Sequence, residues 1–302
     1  MLFRSIGAAK IPVDARYLGS SNFQTKRAAA SSFAPSAADK EILSDEGEFR
    51  VLNLTVSVFN DASTSYYHQS IGGYSGAKMK RYQELIETGL TDDINSLISS
   101  LRTSTTMEEA AGVMQNLGIL NMLNTRYIIL DPGSAPLYNR YASGNAWLVN
   151  GITLVENADA ELQAVRTVNP KEVAVADRRF AEMIPVAATA ASPGDTIYLT
   201  SYEPNLLIYR AELTSERVAI FSEIYSKYGW KAFIDDIPAD HFRANYVLRG
   251  MPLPAGSHTI TFRFEPESYK IGNKVSLAGS ILLLAFLVLA AIPLFKQRRT
   301  DA

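Results

Sequence analysis

The sequence lacks cysteine entirely and has only three histidines, His68, His241 and His258. The absence of cysteine excludes disulfides, thiolate metal sites and cysteine nucleophiles, and three scattered histidines give little basis for a multi-histidine metal site. No excess of positive charge is present either, because 29 Lys and Arg and 31 Asp and Glu leave a net charge of −2. This balance argues against nucleic-acid binding, which needs a basic face to neutralise phosphates.

The sequence contains enough hydrophobic residues to form a folded core. Hydrophobic residues make up 47% of the 302 residues and charged residues 20%, which excludes disorder along the whole chain. At about 100–200 residues per domain, this length allows about two domains.

One long hydrophobic run, at residues 275–295, stands out near the C-terminus. Its 21 residues include no Asp, Glu, Lys or Arg, and as a helix they span about 31 Å, close to the thickness of a hydrocarbon core. A buried core helix is the alternative, but the basic tail at 296–302 and the position at the end of the chain disfavour it. The run therefore predicts a transmembrane helix.

The charges beside this run predict its orientation. Lys296, Arg298 and Arg299 follow it directly, and the positive-inside rule places such residues in the cytoplasm, with the bulk of the chain outside. The first residues, MLFRSIGAAKIPV, contain no apolar segment that would export the chain. Two hypotheses remain: the chain is the C-terminal part of a longer multi-pass protein, which we favour, or it is tail-anchored and faces the cytoplasm.

The rest of the sequence predicts an α+β protein, with a small α/β subdomain followed by an antiparallel β-sandwich. Residues 1–45 form an irregular lead-in and linker, and residues 46–145 form the mixed subdomain. That subdomain has strands at 49–59 and 127–130 and helices at 77–87, from Thr91 as N-cap, and from near Thr106 to Gly118. Residues 146–270 carry short strands at regular spacing, with turn sequences between them, as in a sandwich. The alternation at 258–264 predicts that Ile260, Phe262 and Phe264 are buried on one face.

A glycine-rich loop at residues 71–76 precedes the first predicted helix of the subdomain. Gly72 and Gly73 there, with Lys78 and Arg81 nearby, form a candidate contact for an anion or a lipid phosphate, since backbone amides at a helix start attract anions. The loop matches neither known nucleotide-binding glycine pattern. The alternative is a plain connecting loop.

Two carboxylate pairs, Asp92–Asp93 and Asp235–Asp236, resemble the pairs used in metal or acid–base chemistry. The first falls in the first turn of a predicted helix, where it complements the helix dipole, and the second in a predicted hairpin turn. These structural explanations are sufficient. We assign no catalytic, cofactor-binding or metal-binding residues and expect no cofactor.

Aromatic residues are dense between Tyr225 and Tyr246. Because sugars stack their C–H faces on aromatic rings, Tyr228 and Trp230, which flank a glycine, are candidate carbohydrate contacts. The alternative is core packing, the usual role of aromatic residues on alternating strands.

An ordered series of short motifs runs along the chain. These motifs are DASTSYYH (61–68), IGGYSGAK (71–78), RY (81–82), LNTRY (123–127), FSEIY (221–225), GWKA (229–232), IDD (234–236), FRANYVLR (242–249) and PAGSH (254–258). In this order they resemble the C-terminal region of the bacterial YfhO family, in the form found in Bacteroidetes. The similarity covers roughly residues 11–296, and the order of its motifs is more specific than any one of them.

The resemblance implies a polytopic protein of the bacterial plasma membrane that is similar to the GT-C glycosyltransferases. Such enzymes transfer sugar from a polyprenyl-phosphate donor to a cell-envelope polymer or lipid, with acidic catalytic residues in an early outer loop. This chain would then be the extracytoplasmic C-terminal module, non-catalytic by itself, with its C-terminus in the cytoplasm. Its expected partners are the lipid bilayer, the earlier membrane helices of the same protein, and an envelope glycan or polyprenyl-phosphate sugar. The alternative is a membrane-anchored, non-enzymatic carbohydrate-binding or scaffolding protein.

Overall fold

The computed structural model describes Thr25, residues 33–185 and residues 192–300. Its first sheet has the order β2-β1-β3-β4, in which β1 pairs parallel with β2 and β3 while β4 runs antiparallel to β3. The strands are β1 (Arg50–Asn53), β2 (Gln69–Ser70), β3 (Thr125–Ile129) and β4 (Leu137–Tyr138). The parallel pairs confirm a mixed α/β arrangement in this part of the chain, although β1 is shorter than the strand predicted at 49–59.

Five helices accompany this sheet: α1 (Ala37–Ile42), α2 (Lys80–Leu85), α3 (Thr91–Thr103), α4 (Met107–Val113) and α5 (Gly118–Met122). Short 3-10 turns lie at Ser63–Tyr66 and Met114–Asn116. Helix α1 begins within the segment predicted to be irregular, because Ser36 and Asp39 form a reciprocal capping box. The rest of that lead-in, residues 1–24 and 26–32, lies outside the described residues.

Two predicted helix boundaries were wrong. Thr91 is not an N-cap, because a π-helical turn (Ile86–Leu90) joins α2 directly to α3, and the Thr91 hydroxyl donates to the Ile86 carbonyl at 2.6 Å. Gly118 does not end a helix but begins α5. In both places packing overrides a local signal, since Leu90 is fully buried and Ile119 nearly so.

A parallel βαβ unit follows, made of β6 (Gly151–Val155), α6 (Ala158–Val165) and β7 (Val173–Asp177). Asn157 caps α6 by accepting from the Ala160 amide at 3.0 Å. A 3-10 segment (Arg178–Met183) continues from β7. This unit lies within the region 146–270, where only antiparallel strands were predicted.

Two antiparallel sheets form the β-sandwich. The first has the order β13-β14-β10-β5 and the second β12-β11-β15-β9-β8. Their strands are β5 (Ala146–Val149), β8 (Thr196–Glu203), β9 (Leu206–Leu213), β10 (Arg217–Ile224), β11 (Trp230–Ile234), β12 (Ile237–Ala239), β13 (Phe242–Ala244), β14 (Leu248–Leu253) and β15 (Gly256–Phe264). The rings of Tyr209, Phe221 and Phe262 meet edge to face between the sheets. The antiparallel sheets confirm the α+β fold class.

The first sandwich sheet is buried on both faces. Along β10, Ala219 and Phe221 belong to the core between the two sheets, whereas Val218 and Ile220 belong to a second core that also contains Leu52 and Leu120. This second core extends from the α/β region into the sandwich, across the predicted boundary between residues 145 and 146.

The alternation in β15 is confirmed for Ile260 and Phe262, both fully buried. Phe264 was predicted to be buried as well, but 40% of its surface is exposed. It lies at the end of the strand, beyond the interior of the sandwich, and its ring packs on Trp230 with the centroids 5.3 Å apart.

The chain ends in one long helix, α7 (Glu267–Thr300). Within it, Glu267–Ala290 is long and apolar enough to cross a membrane, and none of this stretch is buried against the rest of the protein. The helix begins at Glu267, before the predicted start at residue 275, because the polar segment after β15 is also helical. Leu283 and Phe286 expose more than half of their surface, which fits contact with lipid better than contact with water.

Candidate functional site

The amides of Gly72 and Gly73, which were predicted to attract an anion, are bonded within the protein. The Gly72 amide donates to the Ser70 hydroxyl at 3.2 Å and the Gly73 amide to the Val58 carbonyl at 2.7 Å. A side chain at Gly72 would collide with the Val58 backbone, and Gly73 has a φ of +107°, so both positions require glycine. The predicted anion contact therefore depends on its two cations, Lys78 and Arg81.

The structure separates these two cations. The Lys78 ammonium lies over the Phe59 ring, 5.7 Å from its centroid. Arg81, on α2, instead lines a cleft of about 210 Å³ together with the segment that contains Tyr228. One residue from each predicted site, Arg81 and Tyr228, thus meets in a single pocket, which we call the arginine–tyrosine cleft.

The cleft is rich in positive charge and in tyrosine. Its cations are Arg81, Lys227 and Arg243, and its tyrosines are Tyr82, Tyr225, Tyr228 and Tyr246. Among the described residues that line it there is no Asp or Glu.

Arg81 is held in place by an aromatic ring more than by hydrogen bonds. Its guanidinium lies 4.6 Å from the centroid of the Tyr246 ring, and its Nη1 is 3.6 Å from the Glu161 carboxylate. That distance is too long for a hydrogen bond, and this buried nitrogen has no hydrogen-bond partner among the described residues. Because this nitrogen is enclosed beside Glu161, a ligand would contact Arg81 through the exposed part of its side chain, whose overall exposure is 26%.

Behind Arg81 lies a buried ion pair. Glu161, on α6, is fully buried and accepts from Arg243 Nη2 at 3.0 Å and from the Tyr246 amide at 3.1 Å. Burial raises the pKa of Glu161, and the charge of Arg243 offsets part of that effect. Asp177 is 3.8 Å from Arg243 and forms a closer pair with Arg179.

A strained turn between β13 and β14 positions Tyr246. Asn245 and Tyr246 have φ values of +47° and +70°, uncommon for residues with a side chain. The Asn245 side chain and backbone both bond to Val175 of β7, at 2.8 and 2.7 Å. The Tyr246 hydroxyl donates to Glu84 at 2.5 Å, and burial together with this bond raises the pKa of Tyr246 to about 12.

The outer edge of the cleft is the loop between β10 and β11. Tyr228 is 72% exposed, and the Lys227 ammonium lies 4.7 Å from the centroid of its ring. Gly229 follows with a φ of +87°, which confirms the predicted glycine turn.

Trp230 does not line the cleft with Tyr228. Its ring packs against Phe264 on one side, and the Arg249 guanidinium lies 4.2 Å from its centroid. The predicted pair of carbohydrate contacts is therefore divided: Tyr228 is open to a ligand, and Trp230 is engaged in packing.

The cleft lies close to the start of α7. The Glu265 amide donates to the Gly229 carbonyl at 2.6 Å, and Lys231 pairs with Glu267 at 3.0 Å. The loop that carries Lys227 and Tyr228 is therefore tied to the residues from which the apolar helix begins.

Arg243 and Glu161 were not predicted as site residues. Arg243 lies in the FRANYVLR stretch and Tyr246 in the dense aromatic segment, so both stood in regions already singled out. No sequence pattern marked Glu161 as a site residue, because an acidic residue in the first turn of a helix is ordinary.

The two carboxylate pairs have structural partners. Asp93 accepts from the Ile119 and Leu120 amides, at 2.9 and 3.0 Å, although this stabilises the start of α5 and not of its own helix. Asp235 accepts from the Thr259 amide and pairs with His258, and Asp236 pairs with Arg263 at 2.7 Å. Within the described ranges, no three His, Asp or Glu side chains form a group that could hold a metal ion.

Comparisons of the chain with models of protein families, with curated proteins and with solved structures found no match.

Proposed function

We propose that this chain is the extracytoplasmic module of a membrane protein similar to the YfhO family. In this proposal, the arginine–tyrosine cleft holds the phosphate-bearing end of an envelope glycan or of a polyprenyl-phosphate sugar. The module recognises this ligand, and the chemistry of sugar transfer belongs to a part of the protein outside this chain.

One observation carries the proposal: the cleft is lined by three cations, of which Arg243 is already paired with Glu161, and by four tyrosines, without a carboxylate among its described lining residues. Arginine donates charge-assisted hydrogen bonds that fit phosphate oxygens, and a tyrosine ring offers an apolar face to a sugar. A ligand that combines negative charge with a sugar ring uses both features.

The position of the cleft supports a ligand that is presented from a membrane. The loop of Lys227 and Tyr228 is bonded, through Gly229, to the segment that leads into α7. Exposed tyrosine and lysine side chains are favoured at membrane–water interfaces. The headgroup of a lipid in the same bilayer would then approach the edge of the cleft that Lys227 and Tyr228 form.

Binding to nanodiscs tests this proposal. The full chain, anchored in nanodiscs with or without polyprenyl phosphate, is titrated with the lipid's sugar-phosphate headgroup and with inorganic phosphate. We expect lipid-dependent protection of the cleft from proteolysis and binding of the headgroup. Arg81→Gln and Tyr228→Ala should each weaken binding about tenfold, as expected when a charged or aromatic contact is lost.

The matched control is Lys40→Gln, which removes one exposed cation from α1, outside the cleft. Binding that is unchanged in Arg81→Gln would show that the ligand does not contact Arg81, and binding that is weakened equally in Lys40→Gln would show that only general charge attraction operates. Arg243 is not used as a variant, because its removal leaves the buried Glu161 without its partner.

A membrane-anchored protein that binds carbohydrate without any associated enzyme is the second candidate, favoured by the open ring of Tyr228. An assay of sugar transfer distinguishes the two candidate functions. Transfer from a polyprenyl-phosphate donor by the purified chain would overturn the proposal that it is non-catalytic. Ligand binding without transfer, in the chain and in the protein that contains it, would favour the second candidate.

A further inference from the structure

One end of the sandwich is bonded to the start of α7. The Phe264 amide donates to the Asn205 carbonyl at 2.9 Å, in the turn between β8 and β9. The Glu265 amide donates to the Gly229 carbonyl at 2.6 Å, in the turn between β10 and β11. Glu267, the first residue of α7, follows two residues later. Both turns therefore lie beside the point where the apolar helix leaves the sandwich.

Ion pairs join the same parts of the chain. Lys231 of β11 lies 3.0 Å from the Glu267 carboxylate and 3.7 Å from that of Glu265. Lys270 of α7 lies 3.1 Å from the Glu265 carboxylate. An exposed pair contributes little by itself, but together with the two backbone bonds these pairs fix the direction in which α7 leaves the sandwich.

Cations and tyrosine rings surround this junction. Lys227 and Tyr228 lie in the turn between β10 and β11, and Tyr269, Lys270 and Lys274 lie on the first turns of α7. Tyr228 is 72% exposed and Tyr269 67%. Within the described ranges, no Asp or Glu pairs with Lys227 or Lys274. We call these five residues the collar, and it carries an excess of positive charge.

The length of α7 places the collar relative to a bilayer. The apolar run begins at Val275, so Lys274 and Lys270 lie about 1.5 and 7.5 Å before it along the helix axis. The headgroup layer on each side of a hydrocarbon core is about 5–8 Å thick. Both lysines therefore fall within the layer that contains the lipid phosphates. Glu267 lies about 12 Å before the run, so the turn bonded beside it stands just outside this layer.

The chemistry of the collar matches an anionic lipid surface. Each lysine close to such a surface strengthens the attraction by about a factor of five. This attraction extends over about 8 Å at physiological ionic strength, which includes Lys227 at the outer edge of the headgroups. Tyrosine rings are favoured at the boundary between water and lipid.

We propose that this end of the sandwich rests on the headgroups of the bilayer that α7 crosses, and that the collar prefers anionic phospholipids. Lys274 contacts lipid phosphates, and Lys227 faces them from the β10–β11 turn. Tyr228 touches the outer headgroup surface without entering the hydrocarbon. The inference rests on the membrane anchoring that the proposed function assumes, but not on any ligand of the arginine–tyrosine cleft.

Quenching of tryptophan fluorescence by spin-labelled lipids in nanodiscs tests this orientation. The chain has two tryptophans. Trp230 directly follows the β10–β11 turn, whereas Trp147 is paired with Ile220, about 13 Å before the end of β10. A label on the lipid headgroup should quench the wild type more strongly than Trp230→Phe, which keeps only Trp147. Trp147→Phe, which keeps only Trp230, should be quenched at least as strongly as the wild type. A label in the middle of the acyl chain should quench all three proteins weakly.

Competition between lipids tests the preference for negative charge. Phosphatidylglycerol, added to nanodiscs of phosphatidylcholine that contain headgroup-labelled phosphatidylcholine, should displace the labelled lipid from the collar and lower the quenching. Lys227→Gln combined with Lys274→Gln should weaken this preference at least fivefold. The matched control combines Lys40→Gln with Lys171→Gln, which remove two exposed lysines outside the collar. It should respond like the wild type.

Equal quenching of the wild type and Trp230→Phe by the headgroup label, or stronger quenching by the acyl-chain label, would overturn the proposed orientation. Quenching that phosphatidylglycerol does not change, or an equal loss of preference in the control, would overturn the role of the collar. Release of the wild type by alkaline extraction would overturn this inference together with the anchoring that it assumes. Arg81→Gln, which tests the cleft, should leave the quenching unchanged, so the two proposals fail separately.

Discussion

At the scale of single residues, His241 lies in an environment that disfavours its charged form. Its ring packs between those of Tyr225 and Phe262, with both centroids 5.5 Å away, and its buried Nε2 has no hydrogen-bond partner among the described residues. Burial, and secondly the charge of Arg249, lower the pKa of His241 to about 4. This histidine is therefore neutral in the folded protein at physiological pH.

The lowered pKa of His241 predicts a loss of stability in acid. The unfolded chain takes up this proton below about pH 6.5, whereas the folded protein resists it down to about pH 4, so stability falls as the pH drops through that window. The full difference corresponds to about 3 kcal/mol. Unfolding of the wild type and of His241→Gln should be measured at pH 7.5 and 4.5, where we expect the wild type to lose about 2 kcal/mol more than the variant. Equal losses would contradict the prediction, and comparison with the variant cancels the titration of the carboxylates.

Single residues also show where local sequence signals fail. Asp93 follows the pattern of a residue in a first helical turn, yet it caps α5 and not its own helix. Arg50, on a short strand, donates at 2.8 Å to the carbonyls of Leu123 and Ser222 and so links the α/β region to the sandwich. Neither partner could be predicted, because both bonds join parts of the chain that meet only after folding.

At the scale of elements, the turn between β10 and β11 depends on Gly229. Its φ of +87° is unfavourable for other residues, and a Cβ there would lie 2.5 Å from the Phe264 ring. The sequence predicted a turn at this glycine, and the structure adds the aromatic neighbour that makes the position intolerant of a side chain.

Gly229→Ala should destabilise the protein by about 1–3 kcal/mol, because it combines backbone strain with displacement of Phe264. It should also shift the emission of Trp230, which packs on Phe264. Thermal unfolding and fluorescence measure the two effects. Gly76→Ala is the control, since a Cβ there meets nothing within 4 Å, and its effect should stay within about 0.5 kcal/mol. Similar behaviour of the two variants would show that Gly229 is not under constraint.

Strands were easier to predict than helix boundaries. Alternation marks β15 directly, and turn residues mark its neighbours, because a strand in a sandwich has one face towards the core. No local sequence pattern indicates the parallel pairing of β1 with β2 and β3, or of β6 with β7. Strand order depends on which surfaces pack together, which the local pattern does not record.

At the scale of the whole molecule, the described residues form three layers, and the first sandwich sheet is the middle one. One face of this sheet packs on the second sheet and the other on the α/β region. The two predicted subdomains therefore share a core through this sheet. The apolar helix α7, in contrast, contributes nothing to that core, since its stretch Glu267–Ala290 is not buried.

If α7 anchors the chain in a membrane, a charge at its centre should weaken the anchoring. Leu284→Arg places a cation in the middle of the apolar stretch, at a cost of about 2.5–3.5 kcal/mol for insertion. We expect a larger share of this variant to be released by alkaline extraction of membranes. Leu43→Arg, an exposed leucine just after α1, is the control and should remain as firmly bound as the wild type. Equal retention of all three proteins would mean that α7 is not the anchor.

The sequence by itself determined the features that depend on neighbouring residues: the long apolar helix, the alternating strands of the sandwich and the turns at Gly229 and Asp235–Asp236. These follow from periodicity and backbone preference, which act over a few residues. Only the tertiary structure decided the arginine–tyrosine cleft. Glu84 and Tyr246, which are hydrogen-bonded beside the arginine–tyrosine cleft, are 162 residues apart in the chain. Such contacts arise from the packing of whole elements around a shared core, so no local pattern could reveal them.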